Sequence, residues 1–178
     1  FDISTNFGID PGDPHRGVSF VSNEMRGSVL RGITIMNGWQ EGSDWEDMGG
    51  AIFCQGAGPT IENCVFVDNT ARSGGAMCAY YGSSPAILDC LFESNEAPSP
   101  GSGGGLLISG CIHPVVDRCQ FRANVGAGLY TTGSDIEIRD CEFSGNSRFG
   151  LTCGPYFSGT FVIDGCRFFN NLRAGLQC

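Results

Sequence analysis

The sequence predicts an all-β fold in which short parallel strands, three in each coil, stack along one axis as a solenoid. Three observations predict it: cysteine and phenylalanine recur at fixed offsets, apolar residues alternate within each repeat, and 28 glycines among 178 residues recur at the repeat boundaries. Alternation with a period of two is typical of strands, and no stretch sustains a helical period. Self-similarity at a spacing of roughly 20–50 residues indicates a solenoid.

The repeated unit has the form apolar-x-x-Cys-x-Phe-x-x-Asn, and its successive cysteines are separated by 26, 29, 22 and 25 residues. Five full copies and one degenerate first copy occupy residues 61–69, 87–95, 116–124, 138–146, 163–171 and 30–38. A glycine-led block follows each copy. We interpret the chain as one domain, a fragment of a longer chain, with a partial coil, six full coils and the start of a seventh at residues 1–16, 17–174 and 175–178.

Each coil is predicted to contain three strands and three corners. The first strand carries the glycine-led block, with Ala76 and Cys78 expected to point inward. The outward column expected on that strand is Ile52, Met77, Leu107, Tyr130, Thr152 and Gln177. A one-residue corner separates the second and third strands, at Gly32, Asn63, Asp89, Arg118, Asp140 and Gly165. Five of these six are residue types that tolerate a left-handed backbone.

Stacked coils place like residues on like, so the core is predicted to consist of columns. One column contains Cys64, Cys90, Cys119, Cys141 and Cys166. A phenylalanine column follows two residues later in each copy, and the asparagine that ends each copy is expected to hydrogen-bond from coil to coil. The asparagines are Asn69, Asn95, Asn124, Asn146 and Asn171.

The ten cysteines are predicted to serve mainly as small buried hydrophobes with free thiols. Cys78, Cys153 and Cys178 are expected in inward ladder positions as well. A disulfide between neighbours in one column is left open, because such neighbours lie within disulfide range. Metal binding by cysteine and histidine is not supported, since no CxxC occurs and the only histidines are His15 and His113.

The net charge of −9, with ten Arg and no Lys, disfavours binding to nucleic acid. It also disfavours binding of polyuronates, unless Ca²⁺ or a local arginine cluster reverses the sign. No apolar run approaches the roughly 20 residues that a membrane-spanning helix needs.

One outward column of the second strand offers a candidate catalytic group. Asp117, Arg139 and Asp164 occupy this column on adjacent coils, so an arginine lies between two carboxylates. Such a set could act as a catalytic or Ca²⁺ cluster. The alternative is an ion ladder that offsets like-charge stacking on the surface. We favour the ladder, and assign no catalytic residue.

A second candidate site is the insertion at residues 39–48, which holds both tryptophans and four carboxylates. Tryptophan and tyrosine beside carboxylates suit stacking on sugar rings and acceptance of hydroxyl hydrogen bonds, with Ca²⁺ as an optional ion. The candidate ligand-binding residues are Trp39, Asp44, Trp45, Glu46, Asp47, Tyr80, Tyr81 and Tyr130. The competing interpretation is that Trp39 and Trp45 fold back over Ile52, Met77 and Leu107 to cover them from water.

The motifs also carry a family resemblance. Gly49-Gly50-Ala51-Ile52 and Gly74-Gly75-Ala76-Met77, together with the Phe-x-x-Asn blocks, resemble the repeats of polymorphic outer-membrane proteins. Residues 28–38 and the blocks after them are similar to bacterial right-handed β-helix proteins of the pectin-lyase-like superfamily. The resemblance implies a right-handed parallel β-helix in a secreted or surface-attached protein. Its members include adhesin-like passengers, polysaccharide lyases and glycoside hydrolases.

The resemblance leaves two function classes. The first is an extracellular or cell-surface scaffold, non-catalytic over this region, that binds carbohydrate or a surface partner in the manner of an adhesin. The alternative is a polysaccharide lyase or glycoside hydrolase. The Gly-His-Gly and Arg-x-Lys motifs of pectin-type hydrolases are absent, and a lyase that uses lysine is excluded because the chain has none. We therefore favour the scaffold.

Overall fold

Three parallel sheets run the length of the molecule and form the walls of a solenoid. The computed structural model describes residues 15–40, 42, 47–99, 102–154 and 160–178. Within them the strands β1 to β21 follow one another in chain order. Apart from the short β4 and β8, they make six successive triplets, and β21 begins a seventh coil. The predicted all-β parallel solenoid with three strands per coil is confirmed.

Each sheet takes one strand from every coil, and all pairings between the strands are parallel. The first sheet contains β1 (Val18–Phe20), β5 (Ile52–Gln55), β9 (Met77–Tyr80), β12 (Gly103–Ser109), β15 (Ala127–Thr132), β18 (Phe149–Cys153) and β21 (Ala174–Gln177). The second contains β2 (Val29–Arg31), β6 (Thr60–Glu62), β10 (Ala86–Leu88), β13 (Val115–Asp117), β16 (Ile136–Arg139) and β19 (Phe161–Asp164). The third contains β3 (Thr34–Met36), β7 (Val65–Val67), β11 (Leu91–Glu93), β14 (Gln120–Arg122), β17 (Glu142–Ser144) and β20 (Arg167–Phe169). A two-stranded sheet pairs β4 (Trp39–Gln40) with β8 (Thr70–Ala71).

Two one-residue corners bend each coil by placing a residue in the left-handed backbone region. The predicted corner between the second and third strands has φ between 49° and 67° at every copy, Arg118 included. A second left-handed residue directly precedes each ladder asparagine, at Asp68, Ser94, Ala123, Gly145 and Asn170, and Asn37 has the same place before Gly38 in the first copy. A single left-handed residue turns the chain without lengthening it. The coils therefore stay in register although their lengths differ.

A column of phenylalanine rings fills the core behind the third sheet. Phe66, Phe92, Phe121 and Phe143 are fully buried, and Phe168 continues the column at the last coil. Neighbouring ring centroids are 4.8–4.9 Å apart, and the last three contacts have interplanar angles of 8° or less. This spacing equals the separation of hydrogen-bonded strands. The rings stack because the backbone does.

The asparagine ladder forms as predicted, and its central members are fully buried. Asn95 illustrates the arrangement: its Nδ2 donates to Phe66 O of the preceding coil at 2.9 Å and to Asn124 Oδ1 of the next coil at 3.1 Å. Its own Oδ1 accepts from the backbone N and the Nδ2 of Asn69, both at 3.0 Å. Every polar atom of the side chain is thus used, so its burial costs little.

The first strand shows one clear departure from the expected register. Ile52 and Met77 point inward and are fully buried in the main core, whereas Cys78 points outward. The outward column is Phe53, Cys78, Leu107, Tyr130, Thr152 and Gln177. The predicted outward direction of Ile52 and Met77, and the predicted inward direction of Cys78, are therefore wrong.

A β-bulge explains the shifted register. The backbone N–H groups of Ala51 and Ile52 both donate to Ala76 O, at 2.7 and 2.9 Å, so two residues oppose one. The pairing between β12 and β15 likewise shifts by one residue between Gly103 and Leu106. The early coils thus carry one extra residue at this point. The first glycine of their glycine-led block lies in the left-handed region, as at Gly74 with φ 62°. An alignment of the repeats on their glycines alone does not reveal this extra residue, so it predicts the wrong face for the residues that follow.

The cysteine column forms as predicted, with Cys64, Cys90, Cys119 and Cys141 buried, Cys166 half-buried and all five thiols free. Cys119 Sγ contacts Ile87 O of the preceding coil at 3.5 Å and accepts from the backbone N of Cys90 at the same distance. The expectation of free thiols is wrong for Cys153 and Cys178, which form a disulfide between adjacent coils. This is the neighbour-to-neighbour bridge that the sequence left open.

We expect Asn124→Leu to lower the free energy of unfolding by at least about 3 kcal/mol. The substitution leaves buried partners on both neighbouring coils without hydrogen bonds, each costing roughly 1–3 kcal/mol. Urea unfolding followed by circular dichroism measures the loss. Asn63→Gly is the matched control, because Asn63 is an exposed corner residue in the left-handed region, and it should cost less than about 1 kcal/mol. Equal losses in the two variants would contradict a structural role for the ladder.

We expect the buried thiols to make the protein less stable at alkaline pH. Burial raises the pKa of the Cys111 thiol from 9.0 to about 12 and the pKa of Cys119 well above its ordinary value. The unfolded state therefore releases these protons first, so stability is full below pH 9 and is lost as the pH rises toward 12. The free energy of unfolding should decrease from pH 8 to pH 9 and pH 10. The decrease should be smaller in Cys111→Ala, which lacks one of the titrating thiols. If Cys111→Ala leaves the dependence of the unfolding free energy on pH unchanged, the buried Cys111 thiol does not cause it.

Candidate functional site

The charged column of the second sheet has the predicted register. Asp117 pairs with Arg139, and Arg139 pairs with Asp164, on adjacent strands. The ion pair that Arg139 makes is with Glu137, two residues away on its own strand, at 3.1 Å. Both of those side chains are nearly half exposed. A surface ion pair in this setting contributes little, and it does not hold a catalytic pair of carboxylates together.

The corner that follows the second sheet carries a bidentate ion pair that the sequence pattern did not predict. Arg118, a corner residue, donates from Nε and Nη2 to the two carboxylate oxygens of Asp89 at 2.7 and 2.8 Å, and also contacts Asp117. The hydrogen bond from Arg118 holds the pKa of the Asp89 carboxyl below its ordinary value. The signal was available, since Arg118 is the one corner residue that is not Gly, Asn or Asp.

Neither histidine belongs to a cluster suited to metal or nucleophile chemistry. His15 Nε2 lies 2.8 Å from Asn37 O, and the carbonyl oxygen of His113 accepts from Arg26 Nη2 at 2.9 Å. In the part of the chain that the structure describes, no group of three or more His, Cys, Asp or Glu side chains is placed to hold a metal ion.

Trp39 lies in a cleft beside the asparagine corner and not over the first sheet. It forms β4, and its backbone also exchanges hydrogen bonds with His15 at 2.7 and 2.8 Å. A cavity of about 270 Å³ adjoins it, lined by Trp39, Gln40, Gly42, Thr70, Ala71, Arg72 and Pro98. The prediction that Trp39 folds back over Ile52, Met77 and Leu107 is wrong, because Ile52 and Met77 face the core and Trp39 pairs with Thr70.

The rest of the insertion is only partly described. Asp44, Trp45 and Glu46, which complete the predicted acidic and aromatic group, lie outside the described residues. Asp47 is described and half-buried, and its carboxylate lies against Gly42, where a Cβ would overlap it. Gly42 therefore leaves room for the carboxylate at this turn, close to the Trp39 cleft.

The outer face of the first sheet carries a second apolar cluster, which takes the place of the predicted tryptophan cover. Phe53, Cys78 and Leu107 are buried there, with Met48, Tyr80 and Tyr130 packed around them. Met48 Sδ lies 3.7 Å from Cys78 Sγ. The Arg16 guanidinium lies 5.0 Å from the centroid of the Phe53 ring and donates to the Gly49 and Met48 carbonyls, both at 2.9 Å.

The three candidate tyrosines lie on or beside this outer cluster. Tyr80 and Tyr130 pack against it, and the Tyr81 ring, which is largely exposed, is 6.4 Å from the Tyr80 ring. Tyr130 also lines a cavity of about 330 Å³ together with Arg148, Thr152 and Arg173. Trp39 and Tyr130 thus line different cavities, and the sequence grouped into one site residues that the structure distributes over two.

Comparison with known proteins agrees with this geometry. The family model described as the right-handed β-helix region matches residues 14–154 and 101–178, which together span nearly the whole chain. The chain belongs to the right-handed β-helix family. The parallel sheets of the structure agree with that family description. Searches of curated proteins and of solved structures returned no match. Among the described residues of this β-helix, no helix is long and apolar enough to cross a membrane.

We expect Arg139→Gln to lower the free energy of unfolding of the β-helix by less than about 1 kcal/mol. Its ion pair with Glu137 is exposed on both sides and therefore weak. Arg167→Gln, which removes a pair between a more exposed arginine and the half-buried Glu142, is the control and should also cost less than about 1 kcal/mol. Chemical denaturation in low salt measures both. A loss of several kcal/mol at Arg139 alone would mean that the charged column is an organised site.

Proposed function

We propose that this chain is a non-catalytic, glycan-binding β-helix scaffold that works outside the cell or on its surface. The observation that carries the proposal is the Trp39 cleft. An indole beside a cavity of about 270 Å³ offers a sugar ring a flat apolar wall. Gln40, Thr70 and Arg72 line the same cleft and supply side chains that can hydrogen-bond to hydroxyl groups.

The position of the cleft in the coil supports recognition by a preformed surface. β4 and β8 pair in parallel, and Thr70 bridges onward to Glu96 of the next coil. The asparagine ladder lies directly behind, since Asn69 Oδ1 accepts from Gly38 N at 2.9 Å. Trp39 therefore stands on a backbone that two coils hold in place, and little conformational entropy is lost when a ligand binds.

The extracellular location is supported by two features. Cys153 and Cys178 form a disulfide, and such bonds persist mainly in oxidising compartments. The family resemblance of the repeats implies secreted or surface-attached proteins.

The absence of lysine and the acidic net charge fit a surface that avoids nucleic acid.

We expect Trp39→Ala to lower affinity for a neutral oligosaccharide at least about tenfold, which corresponds to about 1.4 kcal/mol. The variant loses the stacking wall, whereas Trp39→Phe keeps most of it. The probes are cello-, xylo-, manno- and galacto-oligosaccharides, screened on an array and then titrated by calorimetry. Unfolding midpoints verify that both variants are folded.

Tyr81→Ala is the matched control, because Tyr81 is an exposed aromatic residue that does not line the cleft. Its affinity should equal that of the unaltered protein. Loss of binding in Tyr81→Ala with normal binding in Trp39→Ala would move the site away from the cleft. Binding to none of the neutral probes, or release of reducing ends or unsaturated products from them, would overturn the proposal.

A further inference from the structure

The outer cluster on the first sheet buries apolar side chains on the outside of the solenoid wall. Phe53, Cys78 and Leu107 are neighbours in one outward column, and all three are buried. An apolar column on the outside of a wall is kept from water by the side chains that lie over it. Those covering side chains therefore control whether the column meets solvent.

Met48 and Arg16 supply part of this cover. Cys78 Sγ donates to Met48 Sδ at 3.7 Å, and the Arg16 guanidinium lies 5.0 Å from the centroid of the Phe53 ring. Arg16 also fixes the backbone beside the thioether, because its Nε donates to Gly49 O and its Nη2 to Met48 O, both at 2.9 Å. The thioether is thus held in contact with the thiol.

Cys78 differs from the other free cysteines in its location. The others belong to the main core inside the solenoid or pack against it, whereas Cys78 belongs to the outer cluster. Burial raises the pKa of the Cys78 thiol well above its ordinary value, against a smaller lowering by the charge of Arg16. A covered, protonated thiol reacts slowly with alkylating reagents. The reactivity of Cys78 therefore reports whether the cluster is closed.

Met48 is both accessible and in contact with a buried reactive group. It is half-buried, so a small oxidant in solution can reach its sulfur. Met25 is more accessible, with 74% exposure, but it lies outside the outer cluster. Met77 is fully buried in the main core. Oxidation of Met48 would therefore have a structural consequence that oxidation of Met25 would not have.

The outer cluster is poorly suited to a methionine sulfoxide. Oxidation converts the apolar thioether into a polar group whose oxygen accepts hydrogen bonds. Each nitrogen of the Arg16 guanidinium already donates, with Nη1 directed to Ser19 Oγ at 3.3 Å. The Cys78 thiol is only a weak donor. Burial of the sulfoxide oxygen against Cys78 is therefore unfavourable, and the oxidised side chain gains hydrogen bonds by turning into water.

We propose that Met48 is an oxidation site whose sulfoxide form uncovers Cys78 and opens the outer cluster to solvent. In this step a peroxide, such as hydrogen peroxide, transfers an oxygen atom to Met48 Sδ. The O–O bond breaks and an S–O bond forms. The thioether sulfur loses an electron pair, and the other peroxide oxygen leaves as water. A methionine sulfoxide reductase reverses the change. The proposal does not depend on glycan binding in the Trp39 cleft.

The test measures alkylation of Cys78 by iodoacetamide in the folded full chain, before and after peroxide treatment and removal of the peroxide. Peptide mass spectrometry locates both the alkyl group and the added oxygen. We expect Met48 to be oxidised and Cys78 to be alkylated at least about tenfold faster, because labelling of a buried group follows local opening. Treatment with methionine sulfoxide reductase should restore slow alkylation.

Two substitutions of Met48 separate oxidation from simple loss of contact. Met48→Leu keeps an apolar cover of similar volume but cannot be oxidised, so Cys78 should stay slow after peroxide. Met48→Gln places a polar group over the thiol and should allow fast alkylation without peroxide. Met25→Leu is the matched control, since it removes an exposed methionine outside the cluster, and it should behave like the unaltered protein.

Cys119, fully buried in the cysteine column, is the internal control for global unfolding and should stay slow in every sample. Equal acceleration at Cys119 and Cys78 would overturn the proposal, because the opening would then not be local. Oxidised Met48 with unchanged alkylation of Cys78 would also overturn it. The same holds if peroxide accelerates Cys78 alkylation in Met48→Leu, or if Met48 of the folded protein resists oxidation.

Discussion

The register in which each coil lies on the next is the constraint on which the rest of this structure depends. Buried asparagines maintain that register most strictly. Asn95 donates to coils on both sides and accepts two hydrogen bonds in return. A slip of one residue would place an amide among the phenylalanine rings and leave several buried groups unpaired, which is far more costly than the loss of one apolar contact. The apolar columns supply most of the burial, and the asparagines specify the alignment.

Regular stacking lets the corners vary without disturbing the core. The cysteine spacings change from 22 to 29 residues, yet the phenylalanine centroids stay 4.8–4.9 Å apart. Left-handed residues at two corners keep the strands aligned, so extra residues are accommodated at the remaining corner and along the asparagine side. Both cavities described above adjoin such corners. In a solenoid of this kind the columns supply the stability, and the residues at the corners are free to vary.

The stacking of the coils also determines which charged side chains lie next to each other. Outward columns bring side chains of adjacent coils close together, so opposite charges there are favourable and like charges are not. Arg118 with Asp89, and Arg31 with Glu62, follow that rule. Arg148 and Arg173, which lie at equivalent positions of successive coils, do not follow it.

The sequence by itself determined the solenoid, the three strands per coil, the asparagine ladder, the left-handed corner between the second and third strands, and the phenylalanine and cysteine columns. Each of these features recurs at a fixed position of the repeat, so residue spacing along the chain is enough to predict it. Only the tertiary structure decided the direction of Ile52, Met77 and Cys78, because one bulged residue reverses the faces of a strand while leaving the glycine motif intact. It also decided that Trp39 and Tyr130 line different cavities and that Arg148 and Arg173 meet at one. Those are contacts between corners, whose paths depend on packing rather than on spacing.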